Sequence, residues 1–209
     1  MQKIEIINSC LGFHSEIVQS TVVSKSFGDV VIGEIKKLRD ANSQFQEAYD
    51  TYVQQYGEQR IVVSPATNLS GSIDPTIMVF GRNCFVWYND STKLLSGRIG
   101  SITLQKAKIY LIGRREPQDS KLVIWNSAGD STDLDEYNSQ ADTIPSRIHG
   151  AVGYLDDAQI LYSDIGSSAG TIIVGQSPVM GGAFMRAYDP GLEESPSIKF
   201  SRVFTRKAD

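Results

Sequence analysis

Three short stretches of the chain gather residue types that hold an anion. The first is Gly113-Arg114, closing the apolar run Ile109-Tyr110-Leu111-Ile112. The second is Ser146-Arg147-Ile148-His149-Gly150, and the third is Asp164-Ile165-Gly166-Ser167-Ser168-Ala169-Gly170-Thr171. A planar guanidinium can give two parallel, charge-assisted hydrogen bonds to an oxyanion, and serine hydroxyls can serve its remaining oxygens. A phosphorylated side chain, with about −1.5 to −2 charges and three acceptor oxygens, suits such a set. The positive charge has to be local, because Lys+Arg 20 against Asp+Glu 24 leaves the 209-residue chain at a formal −4. No global field draws nucleic acid or an anionic membrane, and neither is expected as a partner. Arg114, Arg115, Lys121 and Arg147 supply the local charge, with Arg115 and Lys121 read as ordinary solvated residues. His149 reads as a hydrogen-bonded packing histidine rather than an acid or base.

Other chemistries fit less well. Gly166-Ser167-Ser168-Ala169-Gly170 matches the G-x-S-x-G elbow of serine hydrolases, but that elbow joins a strand to a helix and needs a histidine after the serine. Here a β-like run follows, and both histidines, His14 and His149, precede Ser168. A calcium loop starting at Asp133 needs glycine sixth and glutamate twelfth, where the chain has Asn138 and Ile144. No phosphate-cradling glycine loop occurs, and Cys10 and Cys84, the two cysteines, form no C-x-x-C pair. They read as free buried thiols or one disulfide. No metal, cofactor or enzymatic activity is expected. A stretch of about 18 apolar residues, as a membrane span requires, is missing, and a reducing, cytoplasmic setting is expected.

The elements that must position these residues are mostly strands. From residue 60 onward, short β-branched and aromatic runs are separated by Gly, Pro, Asn and Asp, the texture of an antiparallel all-β domain. Strands are predicted at Arg60–Ser64, Thr76–Phe80, Cys84–Asn89, Ile99–Leu104, Lys108–Ile112, Lys121–Trp125, His149–Tyr154, Gln159–Ser163, Thr171–Val174, Ala183–Tyr188 and Ser197–Thr205. Eleven short strands suggest a β-sandwich over 59–209. The acidic stretch Asn126–Pro145 is expected to be a loop, and Thr132 within it a residue accessible to a kinase. Residues 1–58 form an N-terminal extension whose first 28 residues are ambiguous between strand and loop. An amphipathic helix is predicted over about 30–56, capped by Asp29 and ended by Gly57. Its seam runs Ile35, Leu38, Asn42, Phe45, Tyr49, Tyr52, Tyr56. The seam suits packing on the chain's own domain or a homodimer contact.

Taken jointly on an all-β background, the three stretches resemble the forkhead-associated (FHA) domain, whose signature is G-R, then S-R-x-H, then D-x-x-S-x-N-G-T. Gly-Arg recurs at Gly81-Arg82 and Gly97-Arg98, so the dipeptide is informative only beside the other two. The resemblance covers roughly residues 100–175. It implies an eleven-strand antiparallel sandwich whose loops at one end bind a phosphothreonine-containing protein. It implies that Arg114 holds the phosphate, that Ser146 donates to it, that Arg147 contacts phosphate or peptide, and that Ser168 adds a hydroxyl. Gly113, His149 and Gly170 would then be structural supports. Two asparagines of the pattern are replaced, by Ala169 and Val174. Losing the first removes about 1–3 kcal/mol if the peptide group it served goes unsatisfied. The alternative is a phosphate-independent interaction protein on the same sandwich.

Overall fold

The computed structural model describes residues 27–71, 75–81, 84–115, 120–126, 130–140, 144–154, 159–177 and 182–188. The chain is mainly β, in two antiparallel six-stranded sheets with helices before them. The strands are β1 (Thr67–Asn68), β2 (Thr76–Phe80), β3 (Cys84–Asn89), β4 (Leu94–Ser96), β5 (Ser101–Thr103) and β6 (Ile109–Arg114). They continue as β7 (Lys121–Asn126), β8 (Ser131–Glu136), β9 (Gly150–Tyr154), β10 (Ile160–Asp164), β11 (Thr171–Ser177) and β12 (Gly182–Tyr188). Sheet I runs β1-β10-β9-β6-β7-β8 and sheet II runs β12-β11-β2-β3-β4-β5.

Burial follows from what covers each face. In sheet II, β2 and β3 alternate buried and half-buried residues, with Met78, Phe80, Val86 and Tyr88 turned to the core. In sheet I, every residue of β6 is buried, as is every residue of β10. One face of sheet I carries Tyr110, Ile112, Leu122, Ile124 and Val152 into the core between the sheets. The other carries Leu111, Val123, Trp125, Ala151 and Leu161 against Phe27, Val31, Ile35, Leu38, Phe45 and Tyr49 of the helices. Phe45 meets Trp125 edge to face at 5.3 Å. The apolar side chains of the seam from Ile35 to Tyr52 are therefore buried on the chain's own fold, with Tyr56 at its end left exposed.

The helical region differs from a single rod. A first helix, α1, is described over residues 27–41, with Asp29 inside it rather than capping it. The second, α2 (Ser43–Tyr56), starts anew at Asn42, whose extended backbone ends the first helix and whose Oδ1 accepts from Phe45 N at 2.9 Å. Asn42 is thus a helix cap and not a polar seam residue. Gly57, at φ 83°, ends α2 as expected. Arg60–Ser64 is not a strand: a 3-10 turn occupies Glu58–Arg60, and only Val63 bridges to Ile165. The run at Ile99–Leu104 contributes only Ser101–Thr103, paired with the unforeseen β4.

The acidic stretch is the largest correction. Ser131–Glu136 is an edge strand paired with β7, and Thr132 sits opposite Ile124 in the ladder rather than on a loop. Its charges are paired from neighbouring elements. Asp133 meets Arg115 at 2.7 Å and Lys121 at 3.2 Å, while Asp135, fully buried, is held by Arg98 and by Phe85 N. The stretches 1–26 and 189–209, including Cys10, His14 and the run at 197–205, lie outside the described residues. Cys84 is free and buried. Among the described residues, no helix is long and apolar enough to cross a membrane, and no cluster of metal-ligating side chains occurs.

Candidate functional site

The three stretches singled out by residue type meet at one end of sheet I. Arg114 is the last residue of β6. Tyr110 and Ile112 of the same strand point between the sheets, so strand alternation places Arg114 on that face. The Ser146–His149 segment is bonded across the end of β6, through Arg114 N to Ser146 O at 3.2 Å and His149 N to Ile112 O at 2.9 Å. This crossing requires glycine at 113: a Cβ there would lie 1.8 Å from Arg147 O. The third stretch is joined on through Ile165 N to His149 O at 2.9 Å.

A buried polar network fixes the loop that follows β10. Asp164 accepts from Ser167 N at 2.8 Å, Ser167 Oγ at 2.7 Å and Thr171 Oγ1 at 2.7 Å, and Ser167 Oγ in turn accepts from Gly170 N at 3.0 Å. Gly166 and Gly170 adopt φ of 60° and 74°, which glycine reaches without a Cβ clash. His149 completes the network. Its Nδ1 accepts from Ser146 N at 3.0 Å, so Nε2 carries the proton, toward Gly170 O and Thr171 Oγ1, each 3.1 Å away. Since Thr171 gives its hydroxyl proton to Asp164, the Tyr162 hydroxyl donates to Thr171 Oγ1 at 2.8 Å. Phe80 stands edge-on to the imidazole at 5.1 Å.

Burial sets the charge states here. It pushes His149 below its ordinary value, against the pull of Asp164 and the Gly170 carbonyl, so the imidazole is neutral. It raises Asp164, opposed by His149 and by the Ser167 and Thr171 donors, and it raises Tyr162 well above the usual phenol range. The result is a hydrogen-bonded network in which both His149 ring nitrogens are occupied.

Beside this network sit the arginines and serines that the sequence singled out. Ser146 Oγ accepts from Ser168 N at 3.0 Å and lies 3.2 Å from Ser168 Oγ. Only one hydroxyl proton is needed between the two serines, so the other can be given to an incoming acceptor. Ser168 is exposed and Ala169 half-buried. Arg114 keeps only 8 % exposure, and its Nε and Nη1 are buried without an acceptor among the described residues. Arg147, half-buried, is drawn aside, with Nη1 donating to Gln55 Oε1 at 3.3 Å. The structure thus brings Arg114, Ser146, Arg147 and Ser168 to one sandwich end, on supports from Gly113, His149 and Gly170. Arg115 and Lys121 are spent on Asp133.

Sequence reasoning predicted the helical region but missed its contacts with this site. Tyr52 Oη donates to Gly166 O at 2.9 Å, and Gln55 meets Arg147, so α2 touches two of the three stretches. Tyr52 was legible only as an apolar seam residue, and no spacing in the sequence marks its hydroxyl or Gln55. Comparison of the chain with protein-family models, with curated proteins and with solved structures gives no match.

Proposed function

We propose that this protein is a phosphothreonine-dependent binding module of the FHA kind, which recruits a phosphorylated protein partner as a signalling or assembly adaptor. The observation that carries the reading is Arg114: a nearly buried guanidinium with two sealed N–H donors and no acceptor among the described residues. Desolvating such an ion without a partner costs on the order of several kcal/mol. A phosphate dianion arriving at the sandwich end would supply the missing charge and acceptors. The Ser146–Ser168 pair has one hydroxyl proton to give to another of its oxygens, on a loop the His149–Asp164 network has already ordered, so little entropy is lost on binding.

In this reading His149 and Asp164 position the loop and perform no acid–base step, and the protein is not an enzyme. Phosphothreonine is preferred over other phosphates on the strength of the joint motif. Ala169 removes one donor from the peptide-binding edge, so affinity rests on the phosphate more than on the peptide backbone. Calorimetric titration with phosphothreonine peptides, beside phosphoserine and unphosphorylated controls, tests it. Binding of the phosphothreonine form alone is expected. Equal binding of the unphosphorylated peptides would move the protein to the phosphate-independent alternative.

A further inference from the structure

The two sheets differ in what lies over their outer faces. Sheet I is apolar on both faces, and the helices cover the outer one. Sheet II is also apolar on both faces. In β2, β3 and β11 the inward residues Met78, Val86 and Ile173 share one row across the ladder and are buried. Outward, Ile172, Val79 and Phe85 stand side by side in one row, and Val174, Ile77 and Trp87 in a second. Ile172 is 39 % exposed, the other five are half-buried, and none of the six belongs to either core cluster among the described residues. The outward positions of β2, β3 and β4, and of β11 as far as Val174, hold no charged side chain. A sheet with one face in water alternates apolar and polar residues, whereas near-continuous apolar runs belong to strands covered on both sides. The sequence of sheet II is thus that of a sheet with a second cover.

We infer that this outer face of sheet II is the contact through which two copies of the chain pair reversibly. The charge pattern argues for a second copy as the occupant. Selection among foreign partners relies on charged and polar groups that reject the wrong one, and the six positions offer none. A copy of the same chain needs no such code, since a twofold contact sets identical apolar rows against each other and uses every residue twice. Aligned sheets pack face to face in this manner inside a sandwich. The area sets the strength. Strands about 4.8 Å apart, with residues about 3.4 Å along them, give the four strands from β11 to β4 a flat footprint of roughly 300 Å² per copy, against about 800 Å² in a standard interface. That is too little for a permanent dimer and suits one that forms and parts with concentration, anchored by the Trp87 and Phe85 rings. The Arg98 guanidinium, over the Phe85 ring at 6.0 Å, marks the charged rim where the apolar rows end. The helices lie beyond sheet I, so pairing through sheet II leaves them in place. The pairing does not rest on the phosphothreonine reading of Arg114, and it would give one assembly two copies of that site.

Sedimentation velocity of the full chain from about 1 to about 500 μM, where contacts of this size form, tests the pairing. The weight-average mass should move from one chain toward two. Of the two tryptophans, Trp125 is fully buried and Trp87 is not, so acrylamide quenching reports on Trp87 and should fall as the mass rises. Ile172→Lys, altered at the most open of the six positions, would bury one unpaired charge per copy and should weaken association by roughly a hundredfold or more. At the dilute end it should melt as wild type does. A chain that stays single over the whole range overturns the inference, with Trp87 quenched throughout if the face is bare and protected throughout if the chain covers it itself. A dimer that leaves Trp87 open to quencher, or one that Ile172→Lys leaves intact, also overturns it, because the contact then lies elsewhere. The Trp87 measurement needs wild type alone, so it decides even where the lysine variant folds poorly.

Discussion

Two Gly-Arg pairs in this molecule share a local geometry and differ in what the arginine meets. At Gly97-Arg98 and at Gly113-Arg114 the glycine admits a carbonyl from a crossing segment: a Cβ would lie 2.1 Å from Leu134 O in the first and 1.8 Å from Arg147 O in the second. Arg98 is then fully used within the fold. Its Nε and Nη2 grip Asp135 and Nη2 also reaches Glu136 O, while burial and the neighbouring Asp135 charge push the Cys84 thiol up to about 12 against the pull of the Arg98 cation. Arg114 is more buried than Arg98 and meets no such carboxylate among the described residues. The same dipeptide is a structural clasp on one side of the sandwich. On the other it is a nearly buried cation whose Nε and Nη1 have no acceptor among the described residues, the feature on which the proposed function rests.

The largest effect should come from undoing the clasp. Arg98→Ala leaves Asp135 wholly buried with only the Phe85 amide as donor. Because Arg98 itself is half-exposed, the cost is placed at about 3 kcal/mol, at the low end for breaking a buried pair. Thermal melting checks it, and a change under about 0.5 kcal/mol would erase the contrast drawn between the two arginines.

Somewhat smaller losses are expected from the glycines. Gly97→Ala and Gly113→Ala each force a backbone carbonyl to move and should cost about 2 kcal/mol. Only the second should also weaken phosphopeptide binding, since it displaces the Ser146–Arg147 segment. Equal effects of the two on binding would mean that Gly113 has no special relation to a ligand.

Acidification below pH 6.5 should act first through the Arg114 side, and more gently, with Asp90, just after β3 of the other sheet, adding its loss only below 3.8. His149 has its folded pKa lowered, so it contributes stability that is complete above its ordinary 6.5 and is lost as pH falls below it, by at most about 1.4 kcal/mol per pH unit. Asp164, with a raised pKa, acts in the opposite sense: its contribution is complete below 3.8 and declines as pH rises past that value. Protonating Nδ1 would also break its bond from Ser146 N, so affinity for a phosphopeptide should fall with the same midpoint as stability. A His149→Gln variant that keeps the same pH profile would assign the effect to another group.

How much of this was legible in the sequence depended on whether the governing contact was local. β2 and β3 alternate in the chain as they do in burial, because one face of sheet II meets the core. The three stretches meet at the end of β6, where Gly113 admits the Arg147 carbonyl and Gly166 and Gly170 take positive φ, backbone demands that glycine marks in the sequence. β8 was hidden because Asp133, Asp135 and Glu136 read as solvated loop. The cations that neutralise the two aspartates, Arg98, Arg115 and Lys121, come from elements distant in sequence. Asn42 misled for the opposite reason. The apolar seam keeps its face across the break, so periodicity ran through a residue whose side chain was capping a new helix. The contacts of Tyr52 and Gln55 with the site left no trace in spacing at all.

The most direct test of the central claim replaces the ready cation with an apolar side chain of similar length. Arg114→Met should melt at the wild-type temperature or above it, because it removes a buried ion whose Nε and Nη1 have no acceptor among the described residues. In a calorimetric titration run beside the melt, it should show no heat with a phosphothreonine peptide that wild type binds. Wild-type affinity in the variant, or a melting temperature that drops as far as that of Arg98→Ala, would contradict the account.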